Sequence, residues 1–207
     1  MVLFLGLLLT SICAQAQEAS PKTGWFASKP KKMVIDVKGG RGFLSSMAGT
    51  EDGDARVFYG GANFSFGLML SNNFLGVGTG VEYVDMEMGA IDFPLFVNYN
   101  HYFSGDANRG FYLGAKAGYM FGIRKSAAIQ TTIQEEVIEG SMERSMNGLY
   151  GEVTAGYGFS GFKLFVAYNY RVIGYKTIWP DNNYGLTNST SSRTMNLVMV
   201  GISFMVF

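Results

Sequence analysis

From Met33 onward, apolar side chains alternate with small or polar ones. A period of two is the mark of β-strands, because successive side chains of a strand point to opposite faces. The pattern predicts eight segments. The first, about 33–47, sets Ile35 and Val37 against Asp36 and Lys38. The second, about 57–70, sets Ala62, Phe64, Phe66, Leu68 and Leu70 against Asn63, Ser65 and Gly67. The third, about 74–86, sets Leu75, Val77, Val81 and Tyr83 against Gly76, Gly78, Gly80 and Glu82. The fourth and fifth, about 93–103 and 111–123, carry Leu95, Val97 and Tyr99, then Leu113, Ala115, Ala117, Tyr119 and Phe121. The sixth and seventh, about 148–159 and 162–173, alternate Val153, Ala155, Tyr157 and Phe159, then Leu164, Val166, Tyr168 and Tyr170. The eighth, from about Thr194 to Phe207, is apolar on both faces, so its parity stays open.

The links between segments narrow the architecture. Three are tight: Ser71-Asn72-Asn73, Ser104 to Gly110, and Ser160-Gly161. They alternate with longer ones at about 48–56, 87–92, 124–147 and 174–193. Short turns on one side and long polar loops on the other fit a transmembrane β-barrel with an even strand count. On that pattern the short turns face the periplasm. A soluble sandwich would show the same alternation, so three further details decide. Large aromatics gather near segment ends (Tyr83, Tyr99, Phe103, Phe111, Phe159, Phe162, Tyr170), where interfacial girdles sit. The face opposite the apolar one is rich in glycine, apt for a narrow closed interior. The sequence also stops on an aromatic residue, Phe207, two after Met205. Within 124–147, a short helix and strands that extend beyond the membrane are both open.

Composition agrees with many glycine-punctuated strands. Of the 207 residues, 48% are hydrophobic, 15% aromatic and 15% charged, with 28 glycines. The charged share falls well below the ~25% of an average soluble protein. So many aromatics exclude disorder, and so few helix formers in helical runs disfavour a bundle. Sixteen basic and sixteen acidic residues cancel, so no net charge draws the chain to nucleic acid. Residues 1–16, MVLFLGLLLTSICAQA, hold an apolar run from Val2 to Leu9 and end in Ala14-Gln15-Ala16, the small-x-small pattern of a signal-peptide cleavage site. The run is shorter than the ~20 residues of a spanning helix. A polar lead-in over 17–32 follows, and the barrel is expected over 33–207. Cys13 is the only cysteine, so an internal disulfide is excluded, and cleavage would leave no thiol for catalysis or metal binding.

The stretches FYGGANFSFGLMLSNNFLGVGTGVEY (58–83), IDFPLFVNYNHYF (91–103) and FYLGAKAGYMFG (111–122) resemble the eight-stranded outer-membrane barrels of the OmpA and OmpX kind. More narrowly, they are similar to small outer-membrane barrels common in Bacteroidota. The resemblance implies an all-β, up-and-down antiparallel barrel in the outer membrane. It implies contact with lipid, lipopolysaccharide and the barrel assembly machinery, with Phe207 as the assembly signal. Its implied roles are structural or surface-interaction ones, such as adhesion or accessory membership of a larger complex.

Strand parity assigns Asp36, Lys38, Glu82, Lys116, Glu152, Lys163 and Arg171 to the interior. An eight-stranded lumen is just wide enough for its own side chains. Opposed charges there are expected to pair, because an unpaired buried ion is costly. The expectation is a plug of ion pairs and asparagine hydrogen bonds, with the neighbouring glycines making room for the long lysines and arginine. A narrow pore and a lipid-modifying enzyme are the alternatives. His101, the only histidine, shares parity with Leu95 and Val97 and lies near a short turn, the wrong place for chemistry on the outer leaflet. Neither Gly76-Val77-Gly78-Thr79-Gly80 nor the acidic cluster Glu51, Asp52 and Asp54 is given a ligand: the first lacks a following Lys-Ser/Thr and helix, the second is expected to be a solvated loop tip. Tyr175, Trp179 and Tyr184 are candidate contacts for a protein or glycan partner, or belt residues at the outer interface. The chain is expected to be a non-enzyme that needs no cofactor and no metal.

Overall fold

A computed structural model describes residues 30–44, 56–85, 89–123, 125–133, 136–145, 147–178 and 189–206. Among them are ten antiparallel strands. These are β1 (Lys31–Leu44), β2 (Arg56–Leu70), β3 (Asn73–Asp85), β4 (Ala90–Tyr102) and β5 (Gly110–Gly122). Then come β6 (Lys125–Ile133), β7 (Glu136–Ser145), β8 (Gly148–Phe159), β9 (Phe162–Ile178) and β10 (Ser189–Val206). Eight of them close a ring in the order β1-β2-β3-β4-β5-β8-β9-β10. The seam is the β1–β10 ladder, which runs from Met33↔Val206 to Leu44↔Met195. Closure leaves no open edge in the ring, the condition a sheet must meet where no water can satisfy its backbone.

The strands have the expected faces. On β4, Asp92, Phe96, Asn98 and Asn100 turn inward and are buried, while Leu95, Val97 and Tyr99 turn outward. The same reversal holds around the ring. Apolar side chains are exposed on the outside, with Val97 at 50% and Val200 at 63%, and charged ones are buried within. The shortest strand of the ring has 12 residues, more than the ~9–11 a tilted strand needs to cross a bilayer.

Several particulars go beyond the sequence expectation. Of the two readings open within 124–147, the described residues show strands: β6 and β7 form a hairpin in register from Lys125↔Arg144 to Ile133↔Glu136. β7 then pairs with the far end of β9, Ser141↔Ile178 to Ser145↔Gly174. Thus β9 lies beside β8 as far as Arg171 and beside β7 from Gly174 onward, with β10 along its other edge throughout. β9 and β10 therefore extend beyond the predicted ends of the seventh and eighth segments. The open parity of β10 also resolves. Met195, Leu197, Met199 and Ser203 are buried, whereas Val198, Val200, Ile202 and Phe204 face out. Both faces are apolar because the lumen is itself apolar there.

The interior is layered, with apolar side chains beside the expected ion pairs and asparagines. Near the short turns it holds Phe74, Tyr102, Tyr112 and Phe165; near the long loops, Val57, Val84, Met120, Ile173, Met195 and Leu197. Lys38, Lys116, Asp36 and Glu152 lie between, while Lys163 sits in the layer near the short turns. The glycines also serve a different purpose from the one expected. A Cβ at Gly78 would press on the Phe96 ring at 2.7 Å, and the nearest interior side chains at Gly80 and Gly114 are Asn63 and Asn100. Rings and amides occupy that space, not lysine or arginine stems. The expected leader over 1–16, most of the expected lead-in over 17–32, and Glu51, Asp52, Asp54, Trp179, Tyr184 and Phe207 lie outside the described residues.

Close strand approach makes a sharp test of closure. A Cβ at Gly118 would run into the Leu95 carbonyl and lie 2.6 Å from Phe96 Cα, whereas one at Gly151 meets nothing within 4 Å. Gly118→Val is expected to destabilise the barrel by about 1–3 kcal/mol or more, as overpacking against backbone does. Gly151→Val is expected to leave it within ~0.5 kcal/mol of the parent, the range of uncrowded surface changes. Urea unfolding of the folded barrel measures both.

Candidate functional site

Six of the seven residues assigned to the interior by parity come together, joined by one that the assignment missed, Asp92. They form a single chain of alternating charge. Arg171 on β9 holds Glu82 on β3 at 2.5 Å and lies 3.8 Å from Asp92 on β4. Glu82 is 3.0 Å from Lys38 on β1, and Lys38 reaches on to Glu152 of β8. Glu152 is 2.8 Å from Lys116 on β5, which closes the series on Asp36 of β1 at 2.7 Å.

Two of these links cross the whole lumen. In the ring order, β9 and β3 are four strands apart, and so are β5 and β1; in a ring of eight, four is the opposite wall. The Arg171–Glu82 and Lys116–Asp36 pairs therefore span the barrel's diameter. Neutral groups complete the coordination of the charges. The Tyr150 hydroxyl donates to Glu152 at 2.9 Å and accepts from Lys38 at 3.1 Å. Asn169 donates to Glu152 at 3.3 Å and accepts from Arg171 Nε at 2.5 Å. The Arg171 guanidinium also lies 4.7 Å from the Tyr59 ring centroid, where the ring's negative face attracts it.

Lys163 stands apart. It is buried toward the short-turn end, with its ammonium 5.1 Å from the Tyr102 ring and 5.8 Å from the Tyr112 ring. Its Nζ makes no hydrogen bond among the described residues. A cavity about the size of one water molecule lies nearby between Asp36, Tyr102, Lys116 and Ser203. With Asp92 included, the buried charges among the described residues are four acids and four bases. Asp92 escaped the sequence assignment because the fourth segment was started at Phe93, one residue too late. Its parity with Phe96 and Asn98 was the signal that would have found it.

Outside the ring, His101 is half-buried beside the β2–β3 turn. Its Nδ1 and the Tyr99 hydroxyl each lie 2.8 Å from Asn73 Oδ1, and its ring meets Phe103 edge-on. Serine and acid partners for a hydrolytic triad do not join it among its described contacts. Tyr175 lies where β9 runs between β7 and β10, opposite Arg144 and Ser191.

No family model matches the chain, and no curated protein is similar to it by sequence. Among solved structures, the Neisserial surface protein A is similar over 84% of this chain and 96% of its own, with a TM-score of 0.42 and 14% identity. Ail, the attachment invasion locus protein of Yersinia pestis, is similar over 86% of this chain and 99% of its own, with a TM-score of 0.46 and 9% identity. The outer membrane protease OmpT from Escherichia coli follows at a TM-score of 0.36 and 11% identity, over 89% of this chain and 99% of its own. These are likenesses of architecture, and the closed barrel rests on the chain's own strand pairing. With a protease among the solved structures similar to the chain, the expectation that it is not an enzyme does not stand.

The charge chain makes a quantitative prediction. Lys116→Met strips Asp36 of its lysine and leaves Glu152 with one cation fewer. Losing one partner of a buried pair costs about 3–5 kcal/mol, whereas replacing both by apolar groups is often neutral. Lys116→Met is expected to lower the unfolding free energy by that amount, and Lys116→Met/Asp36→Leu to recover most of it, in urea titrations of the vesicle-inserted protein.

Proposed function

We propose that the chain is an integral outer-membrane barrel with an occluded lumen, a structural or surface-interaction protein that holds its long connections outside the cell. The observation that carries this is the reversal of faces: a continuous apolar exterior around an interior of paired charges. In water that exterior would be a hydrophobic surface with no partner. In a bilayer it is the surface that acyl chains solvate. The short turns then face the periplasm and the β6–β7 hairpin the outside. Lipid, lipopolysaccharide and the assembly machinery are the contacts this placement implies, and a protein or glycan partner at the outer connections is the surface role it leaves open. The likeness of its strands to OmpA- and OmpX-like barrels, and to those of Bacteroidota, belongs with this proposal. The two diameter-spanning ion pairs support a plug over a pore.

One substitution distinguishes lipid from water. Val97 faces outward midway along β4 and is half exposed. Val97→Arg is expected to cost about 2–4 kcal/mol if the position lies near the bilayer midplane. At a water-exposed site the same change stays within ~0.5 kcal/mol. Unfolding in vesicles gives the answer, and the smaller value would overturn the membrane placement. The occluded lumen predicts no discrete conductance steps in planar bilayers; steps that change in Arg171→Met would replace the plug with a pore.

A further inference from the structure

The outward surface is not uniformly convex. Between β5, β8, β9 and β10 lies a groove of about 520 Å3, almost wholly apolar. Its walls are the outward side chains Leu164, Val166 and Val200, and its floor is Ala155 with the backbones of Gly156 and Gly201. The floor is low because Ala155 is a small residue on a face where its neighbours are bulky. At one end the groove meets an aromatic rim. Phe111 packs on Tyr157 with centroids 6.2 Å apart, Tyr157 on Phe159 at 5.1 Å, and Phe159 on Phe162 at 5.4 Å.

We propose that this groove is a binding site for one acyl chain of a phospholipid in the leaflet next to the short turns, with its glycerol end at the Phe111–Tyr157 rim. The proposal rests on the membrane placement above. Position supports the occupant. Ala155 lies five residues from the β8–β9 turn, roughly 16 Å along the strand at about 3.3 Å per residue. Strand tilt brings it closer still to the bilayer surface in depth, within one leaflet of a hydrocarbon core ~30 Å thick. Aromatic side chains with a polar tip, such as Tyr157, belong at the headgroup boundary. A second copy of the chain fits poorly. A stable protein interface takes about 20–30 residues a side, whereas nine line this groove.

The test is lipid retention. The protein is folded into phosphatidylethanolamine vesicles, extracted in mild detergent and weighed intact by native mass spectrometry. Insertion is followed separately by the gel mobility shift between unheated and boiled samples. Ala155→Phe fills the groove from its floor and, being outward, adds nothing to the interior. Ala117→Phe, equally outward but beyond the groove, is the control. The expected result is one phospholipid retained by the parent and by Ala117→Phe, and at least five-fold less retained by Ala155→Phe. Equal retention by both variants, or no retained lipid on the inserted parent, overturns the site while leaving the membrane placement intact. A detergent-stable dimer that Ala155→Phe breaks overturns it in favour of a second copy. Failure of the parent to insert overturns the placement and the site together.

Discussion

An unpaired charge is costly in a lumen this narrow, and seven of the eight buried charges among the described residues answer that cost by pairing, Lys163 between its two tyrosine rings being the exception. Taking an ion from water costs several kcal/mol even after relaxation, and only a well-placed opposite charge with further hydrogen bonds offsets it. Each partner here comes from another strand, so the ionic chain from Asp92 to Asp36 is also a record of register. A slip of one residue on β1 would carry Lys38 and Asp36 from the interior to the exterior, because parity reverses with every step. The slip would take one cation from each of Glu82 and Glu152 and separate Lys116 from Asp36 at the same time. Electrostatic pairing and strand alignment are therefore a single requirement in this barrel.

The apolar layers at either end of the lumen strengthen that requirement. By excluding water they lower the local dielectric, which magnifies both the attraction within a pair and the penalty for breaking it. Glycine makes the layers fit. At Gly78 the missing side chain admits the Phe96 ring, and at Gly156 it admits Tyr112. Alternating absent and large side chains lets a ring of eight strands be filled to its centre without splaying.

How far the sequence discloses this follows from how local each signal is. Strand parity needs only neighbouring residues, so seven interior charges could be assigned from spacing alone. Asp92 was lost to a boundary error, the least reliable part of any strand assignment. Partner choice is non-local: nothing in the spacing says that Arg171 meets Glu82 across the diameter, or that Lys163 meets two tyrosine rings and no carboxylate. The parity of β10 was illegible because Met195, Leu197 and Met199 fill an apolar layer, which erases the contrast on which alternation depends. The sequence leaves 124–147 open between helix and strand for a related reason: nothing in its spacing says that β7 pairs with the far end of β9.

The exchange of neighbours along β9 has a consequence for how the exterior of this molecule can vary. Below Arg171 the strand belongs to the barrel wall, and beyond Gly174 it is sandwiched between β7 and β10. The two longest connections are thus woven into one sheet, not hung as separate tethers. Transplanting either connection by itself into another barrel would sever a ladder that its counterpart supplies, so the two form one transferable module.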